Sequence, residues 1–268
     1  MSHDKYTTYS DYLQLDQLLS LQIERSALDG GEPEHDEMLF IVIHQVYELW
    51  FKQLLHELDY ARDLLGEDDL RRVLHTMQRV LTILKVLVAQ LDILETMTPL
   101  DFLAFRTRLE EASGLQSFQF RELEFVLGAR RPDVFDRYPP GSEARARVER
   151  RFREPSLWDA VLRFLDRRGY GMPASVLDRE VTEPTTADPD VQTALVAVYR
   201  EDPDLVPLCE RLVDLDEGVQ EWRYRHVKMV ERTIGTKPGT GGTAGAAYLR
   251  KSLNQELFPD LWAIRADL

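Results

Sequence analysis

The sequence predicts an all-α protein, a bundle of long antiparallel helices, on three observations. Apolar residues recur with a period near 3.6 over long segments. Two of the long segments, Asp36–Leu65 and Asp68–Thr96, are separated by only a few residues, which favours antiparallel packing of the helices. No segment shows the convincing alternation of apolar and polar residues that is typical of strands.

The bounds of the helices follow from capping and terminating residues. Gly66, Gly128 and Gly235 each follow an apolar periodic segment, where glycine commonly ends a helix. Thr98 can cap a helix that begins at Pro99, because proline suits the first helical position. The predicted helices are Asp36–Leu65, Asp68–Thr96, Thr98 to a break near Ser113-Gly114, Gln116–Leu127, Ser156–Arg168, Asp190–Arg200 and Asp204–Ile234.

Two proline-containing stretches, Arg130–Pro155 and Gly171–Pro189, are predicted to be irregular. The short helices near them are too small to bury a core of their own. We therefore predict a single domain over residues 1–268, in which residues 130–190 are an excursion from the bundle. Residues 1–20 are expected to dock on a neighbouring subunit, because Tyr6, Tyr9, Tyr12 and Leu13 are too apolar for a free tail.

Composition excludes some classes of function. The chain has 33 Lys and Arg against 47 Asp and Glu, a net charge of −14, which argues against binding to nucleic acid or to an anionic membrane. Its one cysteine, Cys209, excludes an internal disulfide. The polar N-terminal residues lack the pattern of a signal peptide, and no apolar run approaches the roughly 20 residues of a membrane span. We expect a cytoplasmic protein.

His44 is the most informative residue, because it interrupts an apolar helical stripe that also contains Phe40, Tyr47 and Phe51. A polar ring in such a place costs free energy unless it has a partner. Two interpretations remain open: a hydrogen-bonded core histidine, or a proton partner or metal ligand at a pocket.

Arg106 lies one helical turn after Phe102, and this pair suits a ligand that has an apolar ring and a carboxylate. The alternative for Arg106 is an interhelical salt bridge. The loop Thr236–Gly245, TKPGTGGTAG, exposes backbone N–H groups and hydroxyls that can bind an anion, although a flexible connector has the same composition.

His226 is a second histidine on an apolar helix face, near Trp222 and Met229. No HExxH motif, cysteine cluster or carboxylate–histidine pairing of a di-iron bundle accompanies it. A single isolated histidine is more suggestive of haem, whose porphyrin supplies four of the ligands of iron. A hydrogen-bonded core histidine is again the alternative.

Six motifs in order resemble the tryptophan 2,3-dioxygenase family, and the resemblance extends from Tyr9 to about Leu253. They are YSDYLQLDQLL (Tyr9–Leu19), DEMLFIVIHQVYELW (Asp36–Trp50), LETMTPLDFLAF (Leu94–Phe105) followed by Arg106, ASGLQSFQFR (Ala112–Arg121), WRYRH (Trp222–His226) and GTGGTAG (Gly239–Gly245).

The resemblance implies an all-α homotetramer whose long helices enclose a haem pocket. It implies haem b as cofactor, O2 as co-substrate and L-tryptophan as substrate. The expected reaction inserts both oxygen atoms across the indole C2–C3 bond and gives N-formyl-L-kynurenine, the first step of the kynurenine pathway.

The resemblance also implies residue roles. His226 is the axial ligand of the haem iron, and His44 is the catalytic residue that faces the indole N–H. The remaining expected substrate contacts are Phe40, Ile41, Val42 and Ile43 at the indole, Phe102, Arg106, Ser113 and Thr240, and Tyr9 and Tyr12, which reach a neighbouring subunit's site. Phe102 stands where some members carry Tyr, so a hydroxyl contact to the substrate carboxylate is absent.

Two other functions remain open at this stage. A related haem enzyme inserts one oxygen atom into an indole or acts on another aromatic amino acid, and the sequence features of the two are too similar to separate them. A haem or ligand sensor without catalysis is the third possibility. The joint presence of His44, Arg106 and Thr240 argues against a sensor, because retention of haem requires none of them.

Overall fold

The computed structural model of the protein describes residues 7–28 and 32–268. Within these ranges the regular secondary structure is all helical, without strands, so the all-α prediction is confirmed. The helices are α1 (Tyr9–Leu13), α2 (Leu15–Leu18), α3 (Arg25–Leu28), α4 (His35–Gly66), α5 (Leu70–Leu94), α6 (Pro99–Phe105), α7 (Phe118–Val126), α8 (Glu143–Phe152), α9 (Leu157–Leu165), α10 (Ala174–Leu177), α11 (Pro189–Glu201), α12 (Val206–Ile234), α13 (Ala246–Leu249) and α14 (Pro259–Ala263).

The remaining helical segments are single tight turns. The 3₁₀ turns are Arg106–Leu109, Gly114–Gln116, Pro132–Arg137, Arg250–Ser252 and Ile264–Ala266, and Asp166–Tyr170 is a π turn that continues α9. In the described part of the chain, no helix is long and apolar enough to cross a membrane.

The two predicted long helices, α4 and α5, form an antiparallel pair. Tyr47 near the start of α4 donates its hydroxyl to the carbonyl of Leu87 near the end of α5, at 2.7 Å. Glu57, later in α4, pairs with Arg79, earlier in α5, at 2.9 Å. The antiparallel prediction is therefore confirmed for this pair.

The third long helix, α12, runs parallel to α5. Arg211 contacts Gln78 at 2.8 Å, and about four turns further along both helices Arg225 contacts Asp92 at 2.5 Å. Between them Gly218 lies so close to α5 that an added Cβ would be 2.6 Å from Leu84. A glycine at this position allows the two helices to approach closely.

Two of the predicted bounds were wrong. The helix that begins at Pro99, with Thr98 as its cap, ends at Phe105 and does not reach Ser113. Its continuation tightens into a 3₁₀ turn, and Glu110, at φ 49°, turns the chain away from the helical path. The stretch Arg130–Pro155, predicted to be irregular, contains α8, whose high charge hides its one buried apolar residue, Val148.

The segment of residues 130–190 contributes to the main core. In α9, Trp158 and Phe164 are fully buried and belong to the same apolar cluster as α4, α5 and α12. Arg151 of α8 pairs with Asp59 of α4 at 2.6 Å. Gly171–Pro189 is irregular as predicted, apart from the short helix α10.

The segment after α12 was not predicted to be helical, and it is fixed to α12 by one buried carboxylate. Asp216 accepts hydrogen bonds from the backbone N–H groups of Leu257 (2.8 Å) and Phe258 (3.1 Å) and from the indole N–H of Trp262 (2.9 Å). Gln220 bonds to its other oxygen at 3.0 Å. These bonds hold the C-terminal helix against the bundle.

Candidate functional site

A cavity of about 600 Å³ lies between α4, α7, α12, the α6 region and the loop before α13. Its size is that of a site for a small molecule or cofactor, and most of its wall is apolar. Seven of the residues singled out from the sequence line it: Phe40, His44, Phe102, Arg106, Ser113, His226 and Thr240.

His44 presents a neutral imidazole to the cavity. Burial lowers its pKa, and the hydrogen bond to Phe40 and the charge of Glu48 oppose this only in part. Its Nδ1 lies 2.6 Å from the carbonyl oxygen of Phe40. A carbonyl can only accept, so Nδ1 carries the proton and Nε2 keeps a lone pair. The ring is therefore prepared to accept a hydrogen bond from a ligand N–H group.

His226 is also neutral, and its ring is held by stacking. Burial, followed by the charges of His44 and Arg121, lowers its pKa to about 4. The ring lies 5.0 Å from that of Trp222 with an interplanar angle of 6°. No group of three or more potential metal ligands occurs among the described residues, so a metal at His226 must bring other ligands with it. An apolar cavity in which a neutral imidazole is the available ligand for iron fits haem.

Arg106 is held by the loop that follows α12. Its guanidinium donates to the carbonyl of Pro238. Across the described residues Arg106 forms no ion pair with a carboxylate, so the interhelical salt bridge considered for it is not observed. Its charge remains available for an anionic group in the cavity.

The glycine-rich loop has a defined conformation rather than that of a free connector. An added Cβ on Gly241 would be 2.8 Å from Cβ of Ser113, and one on Gly245 would be 2.6 Å from the carbonyl of Lys237. Glycine is therefore needed where the loop closes on itself and on Ser113. This close packing places Thr240 in the cavity wall.

The aromatic side of the cavity is built around Phe40. Its ring centroid lies 5.8 Å from that of Phe102 and 5.4 Å from that of Phe105. Such contacts restrict ring rotation and leave a shaped apolar surface.

Five of the residues expected to contact substrate do not line this chain's own cavity. Ile43 is buried in the core, Ile41 is half-buried and Val42 is 39% exposed. Consecutive helical residues are rotated by about 100°, so Val42 and Ile43 point away from the wall that His44 faces. Tyr9 and Tyr12 are 75% and 80% exposed and do not line this chain's cavity, and Tyr6 lies outside the described residues.

Sequence reasoning missed the charged end of the cavity. Arg121, Arg131 and Arg223 line it together with Glu124 and Tyr248. They come from α7, the loop after it, α12 and α13, and although Arg121 and Arg223 lie within two of the motifs, no local pattern marks a shared site. These residues are distant in the sequence, and only the fold brings them together.

Comparison with known proteins gives one family. A sequence model of the family described as tryptophan 2,3-dioxygenase matches residues 2–138 and 134–268. A protein named tryptophan 2,3-dioxygenase from Herpetosiphon aurantiacus is 59% identical over 263 residues, which cover 97% of this chain and 98% of that protein. Proteins of the same name from Anaeromyxobacter sp. (strain K) and Bacillus thuringiensis subsp. konkukian are 54% and 41% identical, covering 100% and 97% of this chain and 98% and 92% of their own lengths.

Proposed function

We propose, because the chain belongs to the tryptophan 2,3-dioxygenase family, that it inserts both atoms of O2 across the indole C2–C3 bond of L-tryptophan and releases N-formyl-L-kynurenine. The observation that carries the proposal is one apolar cavity lined by two neutral histidines and by an arginine without a carboxylate partner in the described chain. His44 matches the indole N–H, His226 matches an iron and Arg106 matches a carboxylate.

The cofactor would be haem b, and His226 would hold its iron. The neutral imidazole of His226 has a lone pair for iron, and stacking on Trp222 limits the rotation of its ring. When bound, haem supplies the oxygen chemistry, and the chain supplies binding, orientation and electrostatics.

The substrate is held at both ends. Arg106 and Thr240 bind the amino-acid end, and the surface around Phe40 and Phe102 packs against the indole. Nε2 of His44 accepts the hydrogen bond of the indole N–H, since its Nδ1 is already engaged with Phe40. His44 therefore positions the ring rather than removing its proton, because the indole N–H is a very weak acid. Fixing both ends orients the C2–C3 bond for reaction and lowers the entropic barrier.

Assembly and location are proposed on the family resemblance alone. The protein forms a homotetramer in the cytoplasm, as a single domain over residues 1–268. In that assembly the exposed Tyr9 and Tyr12 of the 1–20 segment contact a neighbouring subunit near its cavity.

Product mass tests the proposed reaction. Haem-loaded, reduced protein is incubated with L-tryptophan and ¹⁸O2, and the product is analysed by mass spectrometry. The proposal expects N-formyl-L-kynurenine that carries two labelled oxygen atoms. A product with one labelled atom would indicate the mono-oxygenase alternative, and haem binding without turnover would indicate a sensor. A parallel reaction without O2 is the control.

A further inference from the structure

The two histidines of the cavity are held in different ways. His44 is fixed by the hydrogen bond from its Nδ1 to the carbonyl of Phe40. Within residues 7–28 and 32–268, neither ring nitrogen of His226 has a hydrogen-bond partner. The outer torsion of a histidine side chain is soft, so an imidazole without a hydrogen bond rotates unless packing prevents it. The orientation of the His226 ring therefore depends on the contacts of its faces.

Trp222 supplies this contact from one helical turn earlier on α12. Residues four apart on a helix lie on the same face, so the two side chains are neighbours. Their ring centroids are 5.0 Å apart and their planes differ by only 6°. A parallel indole at this distance leaves the imidazole of His226 no room to turn towards it. Stacking on Trp222 is therefore the contact that sets the angle of the His226 ring.

Trp222 is itself held by aromatic rings from two other helices. The ring centroids of Phe120 on α7 and of Tyr47 and Phe51 on α4 lie 5.0, 6.4 and 6.5 Å from that of Trp222. Tyr47 and Phe51 meet the indole nearly edge-on, at 66° and 83°, which is an arrangement that aromatic pairs favour. These contacts fix the indole plane against which His226 is stacked.

Tyr47 connects this arrangement to α5. Its ring is buried, and its hydroxyl donates to the carbonyl of Leu87 at 2.7 Å. Burial raises the pKa of this hydroxyl to about 12, and the nearby indole N–H of Trp222 opposes the rise. In the described chain this indole N–H is buried and does not reach the geometry of a hydrogen bond, so packing and not hydrogen bonding places Trp222. The support of the His226 ring therefore extends from α5 through Tyr47 and Trp222.

We propose that Trp222, supported by Tyr47, is a positioning residue that sets the angle of the His226 imidazole at the iron and thereby how firmly the chain retains haem. The inference rests on the proposed function, since it needs iron on His226. It also gives α4 two roles at the site, because this helix carries both His44, which faces the substrate, and Tyr47, which supports the ring behind the iron ligand.

The vibration of the bond between iron and imidazole tests the inference directly. Haem-loaded, full-length protein is reduced without substrate or O2, and resonance Raman spectroscopy records the iron–histidine stretching band. The rate of haem transfer to excess apomyoglobin measures retention separately. Trp222→Leu removes the aromatic face and keeps an apolar side chain. We expect a shifted or broadened band and transfer that is roughly 2- to 10-fold faster, the range of one aromatic pair.

Three further variants assign the effect to the stacked ring. Trp222→Phe restores an aromatic face, so the band and the transfer rate should return towards their wild-type values. Tyr47→Phe removes only the hydroxyl that bonds to Leu87, so it should change the band in the same direction as Trp222→Leu but less. Trp158→Leu is the matched control, because Trp158 is fully buried in α9 and does not line the cavity. It should lower the free energy of unfolding and leave the band unchanged.

The possible failures are distinguishable. A band that is unchanged in Trp222→Leu would overturn the inference and leave the proposed function intact. An equal change of the band in Trp158→Leu would do the same, because the effect would then come from loss of packing in general. If Trp222→Leu does not fold, Tyr47→Phe, which keeps every ring, decides by the same band. If the wild-type protein shows no iron–histidine band, the proposed function fails and the inference fails with it.

Discussion

Two buried charges on α12, two turns apart, differ in how their hydrogen bonds are completed. Asp216 accepts four bonds, one from Gln220 on the same helix and three from the C-terminal segment. Arg223 shares a carboxylate with Arg121 and bonds weakly to two carbonyls, and within the described chain its Nε has no partner. Asp216 therefore stabilises the fold, whereas Arg223 has hydrogen-bonding capacity left for a ligand.

The largest expected effect is on stability, at Asp216, whose hydrogen bonds are all made within the chain. Asp216→Ala leaves the N–H groups of Leu257, Phe258 and Trp262 buried without an acceptor. We expect the free energy of unfolding to fall by about 3–5 kcal/mol. Chemical denaturation measures this loss. Asp214→Ala, an exposed carboxylate on the same helix, is the control and should change stability little. Equal small losses for both variants would show that the Asp216 bonds do not hold the segment.

Arg106, like Arg223, is available to a ligand, so its substitution should weaken the use of substrate and leave the stability of the fold nearly unchanged. Arg106→Leu removes a charge-assisted bond worth about 1.5–3 kcal/mol, which lowers kcat/KM for L-tryptophan by roughly one to two orders of magnitude. The kcat/KM for tryptamine, which has no carboxylate, should fall little. The measurement is kcat/KM for both substrates on both proteins. If both substrates lose the same factor, Arg106 has a structural role.

His44 has both properties, because one ring nitrogen bonds to the carbonyl of Phe40 within the chain and the other is left for a ligand. His44→Ala should lower turnover by roughly tenfold, the value of one hydrogen bond, without eliminating it. N1-methyl tryptophan lacks the indole N–H, so the same substitution should lower its turnover less than that of L-tryptophan. Steady-state turnover with both substrates tests this expectation. Complete loss, with haem and substrate still bound, would instead indicate an obligatory acid–base role.

The smallest effect is expected at Glu37, a completed carboxylate near the N-terminal segment. It accepts from the backbone N–H groups of Arg25 and Ser26, both at 2.9 Å, and from the Ser26 hydroxyl. Burial raises its pKa, but the bonds from Ser26 and Arg25 and the charge of Arg108 outweigh this, so the pKa lies below its ordinary value of 4.5.

A lowered folded-state pKa means that the ionised form stabilises the fold above about pH 4.5, and that this contribution is lost as the pH falls through the folded-state pKa. Glu37→Gln should therefore cost about 1–2 kcal/mol at neutral pH and progressively less in acid. Denaturation at several pH values measures this trend. A loss that does not depend on pH would show that the charge of Glu37 has no part in the contact.

The same division explains how much the sequence could predict. The long helices were predictable because the 3.6-residue apolar period is local, and His44 stood out within one of these patterns. Helix α8 was missed because its face is mostly charged, and the direction of α12 depends on packing against α5. Arg121, Arg131 and Arg223 come from separate segments, so the Glu124 carboxylate that Arg121 and Arg223 share, and the grouping of all three at one cavity, exist only in the folded chain.

The central claim is that the cavity binds haem through His226, and the spectrum of the reconstituted protein tests it most directly. His226→Ala, titrated with haem, should lose stable binding or show a strongly altered Soret band, and added imidazole should restore part of the wild-type spectrum. His44→Ala, the control in the same cavity, should keep its haem. A His226→Ala protein with full haem content and an unchanged Soret band would contradict the account.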